Sequence, residues 1–249
     1  MKTIAIVTQK GGTGKTTTAW ALACGLHHMG ASVLSIDLDG QSDLTFAFGV
    51  DSSRATIYDV LRGSAPPQAA ITSCYAGDLM PGSEMMWAID KDLALPLKLQ
   101  HVLESLQGYD FAVIDCPPSL GMATINAIAA ADLVIVPVLA EAFSVKSIAP
   151  LADTIRDIKE LNPRLKVGGL LLTRFKQRLT LSKDMSDVLR DMAAMLRTSV
   201  LETTIAECSD IGKAQANQAD PFIFAPRSKG VINYAALTVE VANLLFGTS

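Results

Sequence analysis

A glycine-rich stretch that ends in a lysine and three threonines is the segment with the clearest chemistry. Residues 9–18 read Gln-Lys-Gly-Gly-Thr-Gly-Lys-Thr-Thr-Thr and lie between an apolar run and a helical pattern. Glycines let backbone N–H groups turn inward around an anion, and the following helix presents its positive end to phosphate. Lys15 can bridge the outer phosphates of a nucleotide, and the Thr16 hydroxyl can hold Mg²⁺. Gln9 stands where the usual P-loop pattern has glycine, but the chemistry of a phosphate loop is retained.

We therefore expect a nucleotide to contact most of this stretch. The alternative, a glycine-rich turn without a ligand, explains the glycines but not Gly-Lys-Thr at a helix start. The expected nucleotide-binding residues here are Lys10, Gly11, Gly12, Thr13, Gly14, Lys15, Thr16 and Thr17.

Aspartates follow two further apolar runs. Asp37 and Asp39 come after Val33–Ile36, and Asp115 comes after Phe111–Ile114. Alternation along the chain directs Asp37 and Asp39 the same way, toward the crevice at the carboxyl edge of a sheet. Aspartate is also common in the turns that end strands, without any functional role. A functional role is favoured here because we expect the phosphate loop to follow the adjacent strand. Asp115 suits a carboxylate that acts on Mg²⁺, often through water.

The frame that positions these residues is predicted by alternating apolar runs and helical patterns. Strands are expected at Ile4–Val7, Val33–Ile36, Phe111–Ile114, Leu133–Val136 and Val167–Leu172, and helices near 14–29, 56–62, 92–107, 121–131, 146–161, 181–196 and 231–246. Continuous apolar strands between helices are covered on both faces. The pattern predicts an α/β fold, with a doubly wound, mostly parallel, twisted sheet and helices on both faces, and we expect residues 1–249 to form a single domain.

Composition and charge exclude several classes of protein. The 249 residues carry a net charge of −4, which excludes a uniformly basic nucleic-acid binder, but residues 151–249 hold 13 Lys and Arg against 11 Asp and Glu. The four cysteines lack metal-ligand spacing and are expected to be reduced thiols. No apolar run reaches the roughly 18 residues of a membrane span, and glycines come too early for a signal peptide. The expected compartment is the cytoplasm.

Three segments resemble the ParA/MinD family of P-loop ATPases. Residues 10–16, Lys-Gly-Gly-Thr-Gly-Lys-Thr, resemble its deviant Walker A loop. Residues 37–41, Asp-Leu-Asp-Gly-Gln, resemble the family's Asp-x-Asp-Pro-Gln, with Gly40 in place of proline, which leaves this loop freer. Residues 115–121 read Asp-Cys-Pro-Pro-Ser-Leu-Gly, close to the family's Asp-x-Pro-Pro-Ser-Leu-Gly. The similarity extends over nearly the whole chain and is greatest to short, Soj-like ParA partition proteins.

The resemblance implies an ATPase that uses ATP and Mg²⁺, is slow and is stimulated by a partner. It implies an ATP-dependent sandwich homodimer in which Lys10 crosses to the partner's phosphates, although a solvated loop lysine is the simpler alternative. Lys10, Lys15 and Asp39 would be catalytic, with Asp39 orienting the attacking water. Thr16, Asp39 and Asp115 would hold the metal, and Thr173 aligns with the region that flanks the adenine.

A basic stretch in the C-terminal part predicts a surface for nonspecific DNA, with a solvated loop as the alternative. Glu207-Cys208-Ser209-Asp210 stands where many relatives have a basic residue, which weakens this prediction. The candidate DNA-binding residues are Arg174, Lys176, Arg178, Arg227 and Lys229.

Three functions compete on this fold. The first is an ATP-switched partition protein at the nucleoid, which a ParB-like partner stimulates to segregate a plasmid, a chromosome or a protein cargo. The second, a MinD-like regulator on a membrane surface, needs a basic amphipathic C-terminal helix, but residues 231–249 contain no Lys or Arg. The third, an iron–sulfur reductase or scaffold, needs cysteines placed to share a cluster. The sequence favours the first function and no membrane partner.

Overall fold

The computed structural model of the protein describes residues 1–51, 54–139, 145–175 and 183–247. Its strands are β1 (Lys2–Ile6), β2 (Val33–Asp37), β3 (Thr72–Cys74), β4 (Gly77–Met80), β5 (Phe111–Asp115), β6 (Leu133–Leu139) and β7 (Lys166–Thr173). Its α-helices are α1 (Lys15–His28), α2 (Asp43–Ala47), α3 (Ile57–Arg62), α4 (Ile89–Asp92), α5 (Lys98–Glu104), α6 (Met122–Ala130), α7 (Val145–Leu161), α8 (Lys183–Met195), α9 (Ser209–Ala216), α10 (Pro221–Phe224) and α11 (Lys229–Phe246). Two 3₁₀ helices span Pro67–Ala70 and Glu84–Ala88.

The described strands form one sheet in the order β3-β4-β2-β5-β1-β6-β7. Only the edge pair β3–β4 is antiparallel, so the predicted doubly wound, mostly parallel α/β fold is confirmed. The expectation that β2 adjoins the strand of the glycine loop is wrong, because β5 lies between β1 and β2. All five residues of β5 are buried, which suits a strand that has a neighbour on each side.

Alternating side chains divide the core into two layers, one on each face of the sheet. Ile4 and Ile6 of β1 face a layer that includes Trp20 of α1 and Tyr234 of α11. Ala5 belongs to the opposite layer, where residues of α3, α5, α6, α7 and α8 cover the sheet. Strands covered on both faces by helices explain why the strand sequences are continuously apolar.

Several elements depart from the pattern that the sequence shows. The helix expected at 92–107 is replaced by the short helix α4 and by α5. Strands β3 and β4 were not predicted, because Thr-Ser-Cys and Gly-Asp-Leu-Met are short and partly polar. Their pairing beside β2 comes from long-range contacts that a local pattern does not record.

The register of the central strands sets the position of the chemistry. Strand β5 pairs Asp115 with Ile6 of β1 on one side and with Asp37 of β2 on the other. The segments that follow these three parallel strands therefore leave the sheet at the same edge. The glycine loop and both acidic segments meet there, as the sequence predicted.

Helices α1 and α11 approach each other so closely at Gly25 that a side chain has no room. A Cβ at Gly25 would lie 3.1 Å from the Cβ of Thr238 and nearer still to its hydroxyl. We expect Gly25→Ala to lower the free energy of unfolding by about 1–3 kcal/mol, because overpacking outweighs the gain in helix propensity. Urea denaturation measures the change.

Gly212→Ala in α9 is the matched control, since no described atom lies within 4 Å of a Cβ at that position. This substitution should be neutral or stabilising by up to about 1 kcal/mol. Equal effects of the two substitutions would show that the α1–α11 contact is not the cause.

Candidate functional site

The glycine loop connects β1 to α1 and takes a backbone shape that only glycine adopts readily. Gly12 has φ of +73° and Gly14, the N-cap of α1, has φ of +86°. Every residue of α1 is described, and its first turn carries no acidic side chain and receives no side-chain cap. The free N–H groups and the positive end of this helix are therefore available to an anion.

A cleft with a volume of about 720 Å³ opens beside this helix start. Lys15 and Asp39 both reach it, although each is only 8% exposed. The cleft is lined by the predicted residues Gly11, Gly12, Gly14, Lys15, Thr16, Thr17, Asp39, Thr173 and Arg174, among others. The fold thus brings together, around one space, most of the residues that the sequence singled out.

Thr173, at the end of β7, supports the glycine loop from its own strand. Its hydroxyl lies 2.8 Å from the carbonyl oxygen of Thr13 and 3.1 Å from that of Val138. The hydroxyl of Thr13 in turn donates to the carbonyl oxygen of Lys10 at 3.2 Å. The structure therefore places Thr173 against the phosphate loop.

Lys10 lies apart from Lys15. Its side chain is exposed and lines a second depression of about 440 Å³, together with Gln9, Thr13 and Pro118. The two lysines of this loop therefore line two different spaces.

The two aspartates that follow β2 have different environments. The Asp37 carboxylate is fully buried and accepts hydrogen bonds from the Thr45 hydroxyl at 2.6 Å and the Thr45 N–H at 2.8 Å. Asp39 lines the cleft, and its Oδ1 accepts from the N–H of Gln41 at 3.0 Å. The expectation that both side chains face the crevice holds only for Asp39, because Thr45 binds the carboxylate of Asp37 inside the protein.

Asp115, at the end of the central strand, is fully buried. Neither carboxylate oxygen has a hydrogen-bond partner among the described residues. Burial raises the pKa of Asp115 well above its ordinary value, the neighbouring Asp37 adds to the rise, and Thr16 and Lys15 oppose it. Burial likewise raises the pKa of Asp37, to about 6.

An unsatisfied carboxylate next to a threonine hydroxyl fits a magnesium site. Mg²⁺ prefers oxygen ligands and usually takes only one or two from the protein, with water and substrate phosphates completing the set. Among the described residues no group of three or more His, Cys, Asp and Glu side chains could hold a metal alone. Thr16, Asp115 and the cleft-facing Asp39 therefore suit a metal that arrives with a nucleotide.

The far wall of the cleft was not predicted from the sequence. It consists of the loop before α9, one face of α9 and Tyr234 of α11. The Thr17 hydroxyl donates to Oε1 of Gln215 at 3.1 Å, which ties this wall to the phosphate loop. No motif in the sequence indicates that these residues line the cleft, because only folding brings them beside the glycines.

Three of the five candidate DNA-binding residues lie near one loop, residues 207–209. Arg174 forms an ion pair with Glu207 at 3.2 Å, and Ser228, between the exposed residues Arg227 and Lys229, lies 2.9 Å from the sulfur of Cys208. The remaining candidates, Lys176 and Arg178, lie outside the described residues.

Comparison with known sequences finds relatives that match nearly the whole length of the chain. A sequence profile for an AAA domain, AAA_31, matches residues 1–167. The sporulation initiation inhibitor protein Soj of Bacillus subtilis is 34% identical, over 97% of this chain and 98% of that protein. The chromosome-partitioning ATPase Soj of Thermus thermophilus is 36% identical, over 97% of this chain and 95% of its own length.

Solved structures are similar over nearly the whole chain as well. A cobyrinic acid a,c-diamide synthase from Mycobacterium smegmatis with bound ADP and magnesium has a TM-score of 0.82 and 32% identity, covering 98% of this chain and 94% of its own. The septum site-determining protein MinD of Pyrococcus horikoshii with Mg-ADP has a TM-score of 0.79 and 28% identity, covering 98% and 97%. The nucleotides and metal in these structures agree with the ATP and Mg²⁺ expected from the sequence.

The buried carboxylate of Asp115 makes a prediction about stability. Because its pKa in the folded protein lies above the ordinary value of 3.8, the folded state binds the proton more tightly, and stability falls as the pH rises from about 4 through the folded pKa. Without nucleotide and with a chelator, Asp115→Asn should therefore unfold at a higher temperature than the wild type at pH 7.5. The difference should shrink toward pH 4.

Thermal unfolding followed by circular dichroism at both pH values measures this effect. Asp191→Asn, at an exposed position of α8, is the control and should leave the unfolding temperature unchanged. An Asp115→Asn protein that is no more stable than the wild type at pH 7.5 would contradict the assignment of a destabilising buried charge.

Proposed function

We propose, from the premise that the chain belongs to the ParA/MinD family of P-loop ATPases, that it is a ParA-type positioning ATPase. In this proposal it hydrolyses ATP with Mg²⁺ slowly, and ATP joins two copies into a dimer that binds nonspecific DNA. A ParB-like partner stimulates hydrolysis and so releases the dimer from the nucleoid. The observation that carries the proposal is the buried, unpartnered carboxylate of Asp115 beside Lys15 and the free start of α1.

The chemistry of the cleft follows from the charges around it. Lys15 and the N–H groups at the start of α1 would hold the phosphates of ATP, which place negative charge where the helix dipole favours it. Thr16, Asp39 and Asp115 would hold Mg²⁺, which neutralises charge on the phosphates. The Asp39 carboxylate lines the cleft, and it would orient the attacking water.

Dimerisation is supported by the position of Lys10. Its exposed side chain lines a depression next to the cleft of Lys15, with Pro118 lining both, and in this proposal it reaches the phosphates of a second copy. A lysine on a flexible stem acts as a point charge and needs no fixed bidentate geometry. ATP bound in both copies would then draw the two loops together.

DNA binding is supported by the basic residues around the 207–209 loop. Arg174 is tied to Glu207, but both side chains are exposed, and an exposed ion pair contributes at most about 1 kcal/mol. A DNA phosphate can therefore replace Glu207 at little cost. Dimerisation doubles this surface and presents both copies at high effective concentration, so ATP would raise DNA affinity without reshaping either copy.

The relatives support the partition role over other roles on this fold. Proteins described as Soj match over almost the full length, and one of them is described as a chromosome-partitioning ATPase. The cargo of this chain would be a plasmid, a chromosome or a protein assembly.

A MinD-like role on a membrane surface is the competing function. The similar MinD structure and the exposed apolar residues Ile232, Val239 and Phe246 of α11 favour it. However, Lys229 is the sole basic residue of α11, so the helix lacks the charge that draws amphipathic helices to anionic lipid. No helix in the described part of the chain has the length and apolarity to cross a bilayer.

The two lysines of the loop should fail in different ways. Lys15→Ala should abolish ATP binding, because the phosphates lose the cation nearest to them. Lys10→Ala should bind ATP as the wild type does but remain monomeric with ATP, since its charge acts on the other copy. Nucleotide binding and sedimentation with a nonhydrolysable analogue measure both effects.

Lys91→Ala, at an exposed position of α4, is the matched control and should bind ATP and dimerise normally. Normal ATP affinity in Lys15→Ala would refute the nucleotide site. Normal ATP-dependent dimerisation of Lys10→Ala would show that Lys10 does not act on the second copy.

DNA affinity should depend on ATP and fall steeply with salt, because phosphate contacts release counterions. Removing one contacting cation, as in Arg227→Ala or Arg178→Ala, should lower the salt slope by about one without preventing dimerisation. Lys166→Ala is the control and should leave the slope unchanged. Lys166 is exposed at the start of β7, at the end of the strand opposite to Arg174.

Binding isotherms with ATP, ADP and a nonhydrolysable analogue, on DNA of unrelated sequences and on anionic liposomes, separate the two functions. A dimer that ignores DNA at low salt but binds the liposomes would favour the membrane role instead.

A further inference from the structure

A short segment after β4 covers the loop that carries Asp39. We call residues 82–90 the cover segment. Its Gly82 N–H donates to the Thr45 hydroxyl at 2.9 Å, and this hydroxyl donates to Asp37 at 2.6 Å. A Cβ at Gly82 would lie 2.9 Å from Cγ of Asp37 and 3.1 Å from the carbonyl oxygen of Asp39. The cover segment is thus in contact with the backbone on which Asp39 sits.

The indole of Trp87, in the same segment, lies against Gly40. A Cβ at Gly40 would lie 2.5 Å from Cε2, 2.6 Å from Nε1 and 2.7 Å from Cδ2 of Trp87, closer than real Cβ atoms come to other atoms. Gly40 does not have a positive φ in the left-handed region. The indole, and not the backbone conformation, therefore requires glycine at this position.

The far end of the cover segment contacts the second acidic loop. Oδ1 of Asp90 accepts a hydrogen bond from the N–H of Met122 at 2.6 Å, at the start of α6. A Cβ at Gly121 would lie 2.5 Å from the same oxygen. Helix α6 follows the loop that begins at Asp115, so the cover segment contacts both the loop that carries Asp39 and the loop that follows Asp115.

Burial in the core does not explain why a tryptophan stands at position 87. The residue is 57% exposed, so much of the apolar surface that makes tryptophan stabilising remains in water. Its ring nevertheless contacts the residue that directly follows Asp39. In the family pattern a proline stands at this position, and its ring carbons would collide with the indole.

We infer that Trp87 is a positioning residue for ATP hydrolysis: its indole holds the Asp39–Gly40 peptide so that the Asp39 carboxylate stays turned into the cleft. This inference rests on the proposed function, in which Asp39 orients the attacking water. The indole restricts a loop that glycine leaves free and that proline would restrict by its own ring.

Removing the indole should slow hydrolysis without weakening binding. Trp87→Ala should bind Mg-ATP within about twofold of the wild type and lower kcat by about tenfold, since small displacements of a catalytic group cost rate more than affinity. Trp87→Phe keeps a flat ring and should recover most of the rate. Met85→Ala is the control, because Met85 lies in the same 3₁₀ helix and is 53% exposed.

The reciprocal change tests the contact itself. Gly40→Ala should push the indole outward, raise its quenching by acrylamide and slow hydrolysis. Trp20 is fully buried, so quenchable emission reports on Trp87. The double variant Gly40→Ala/Trp87→Ala should be no slower than Trp87→Ala, because the collision is absent.

Single-turnover hydrolysis, nucleotide affinity and quenching are measured separately on each full-length variant. Wild-type rates in Trp87→Ala and Gly40→Ala would overturn the inference, and so would a raised KM with unchanged kcat. Gly40→Ala keeps the inference testable if Trp87→Ala does not fold. A wild-type protein that neither binds nor hydrolyses ATP would overturn the proposed function and this inference together.

Discussion

The carboxylate of Asp115 lies at the end of the central strand, buried and without a hydrogen-bond partner among the described residues. Burying a charge in this way costs several kcal/mol unless the group takes up a proton or gains a partner. Strand β5 cannot move it outward, since both neighbouring strands hold β5 in register. The fold therefore carries a destabilising group at one fixed point, and a cation with its phosphates is the ligand that would relieve it.

The rest of the site is arranged around that point by strand order. Because β5 separates β1 from β2, the glycine loop and the Asp39 loop leave the sheet on opposite sides of Asp115. Thr173 at the end of β7 supports the glycine loop, and Thr45 holds Asp37 inside the protein, so Asp39 lines the cleft and Asp37 does not. No single segment of the chain could form this arrangement by itself.

Sequence patterns predicted the features that depend on residues close together in the chain. Continuous apolar runs indicated the buried parallel strands, and glycines before Lys15 indicated the phosphate loop. The insertion of β5 and the short, partly polar strands β3 and β4 were missed, because pairing partners are set by contacts between distant residues. The wall that includes Gln215 was missed for the same reason, as its residues face the cleft only after α9 docks.

At Gly40, the conformational freedom of glycine and a tertiary contact have opposite effects on the loop. Read locally, glycine in place of the family's proline makes the Asp39 loop freer. In the structure, Gly82 meets the carbonyl of Asp39 from one side and Trp87 fills the space beside Gly40. Packing from a distant segment thus restores the restriction that the missing proline ring would have supplied. Since a larger residue at position 40 would meet the indole, a change at either position alters what the other position tolerates.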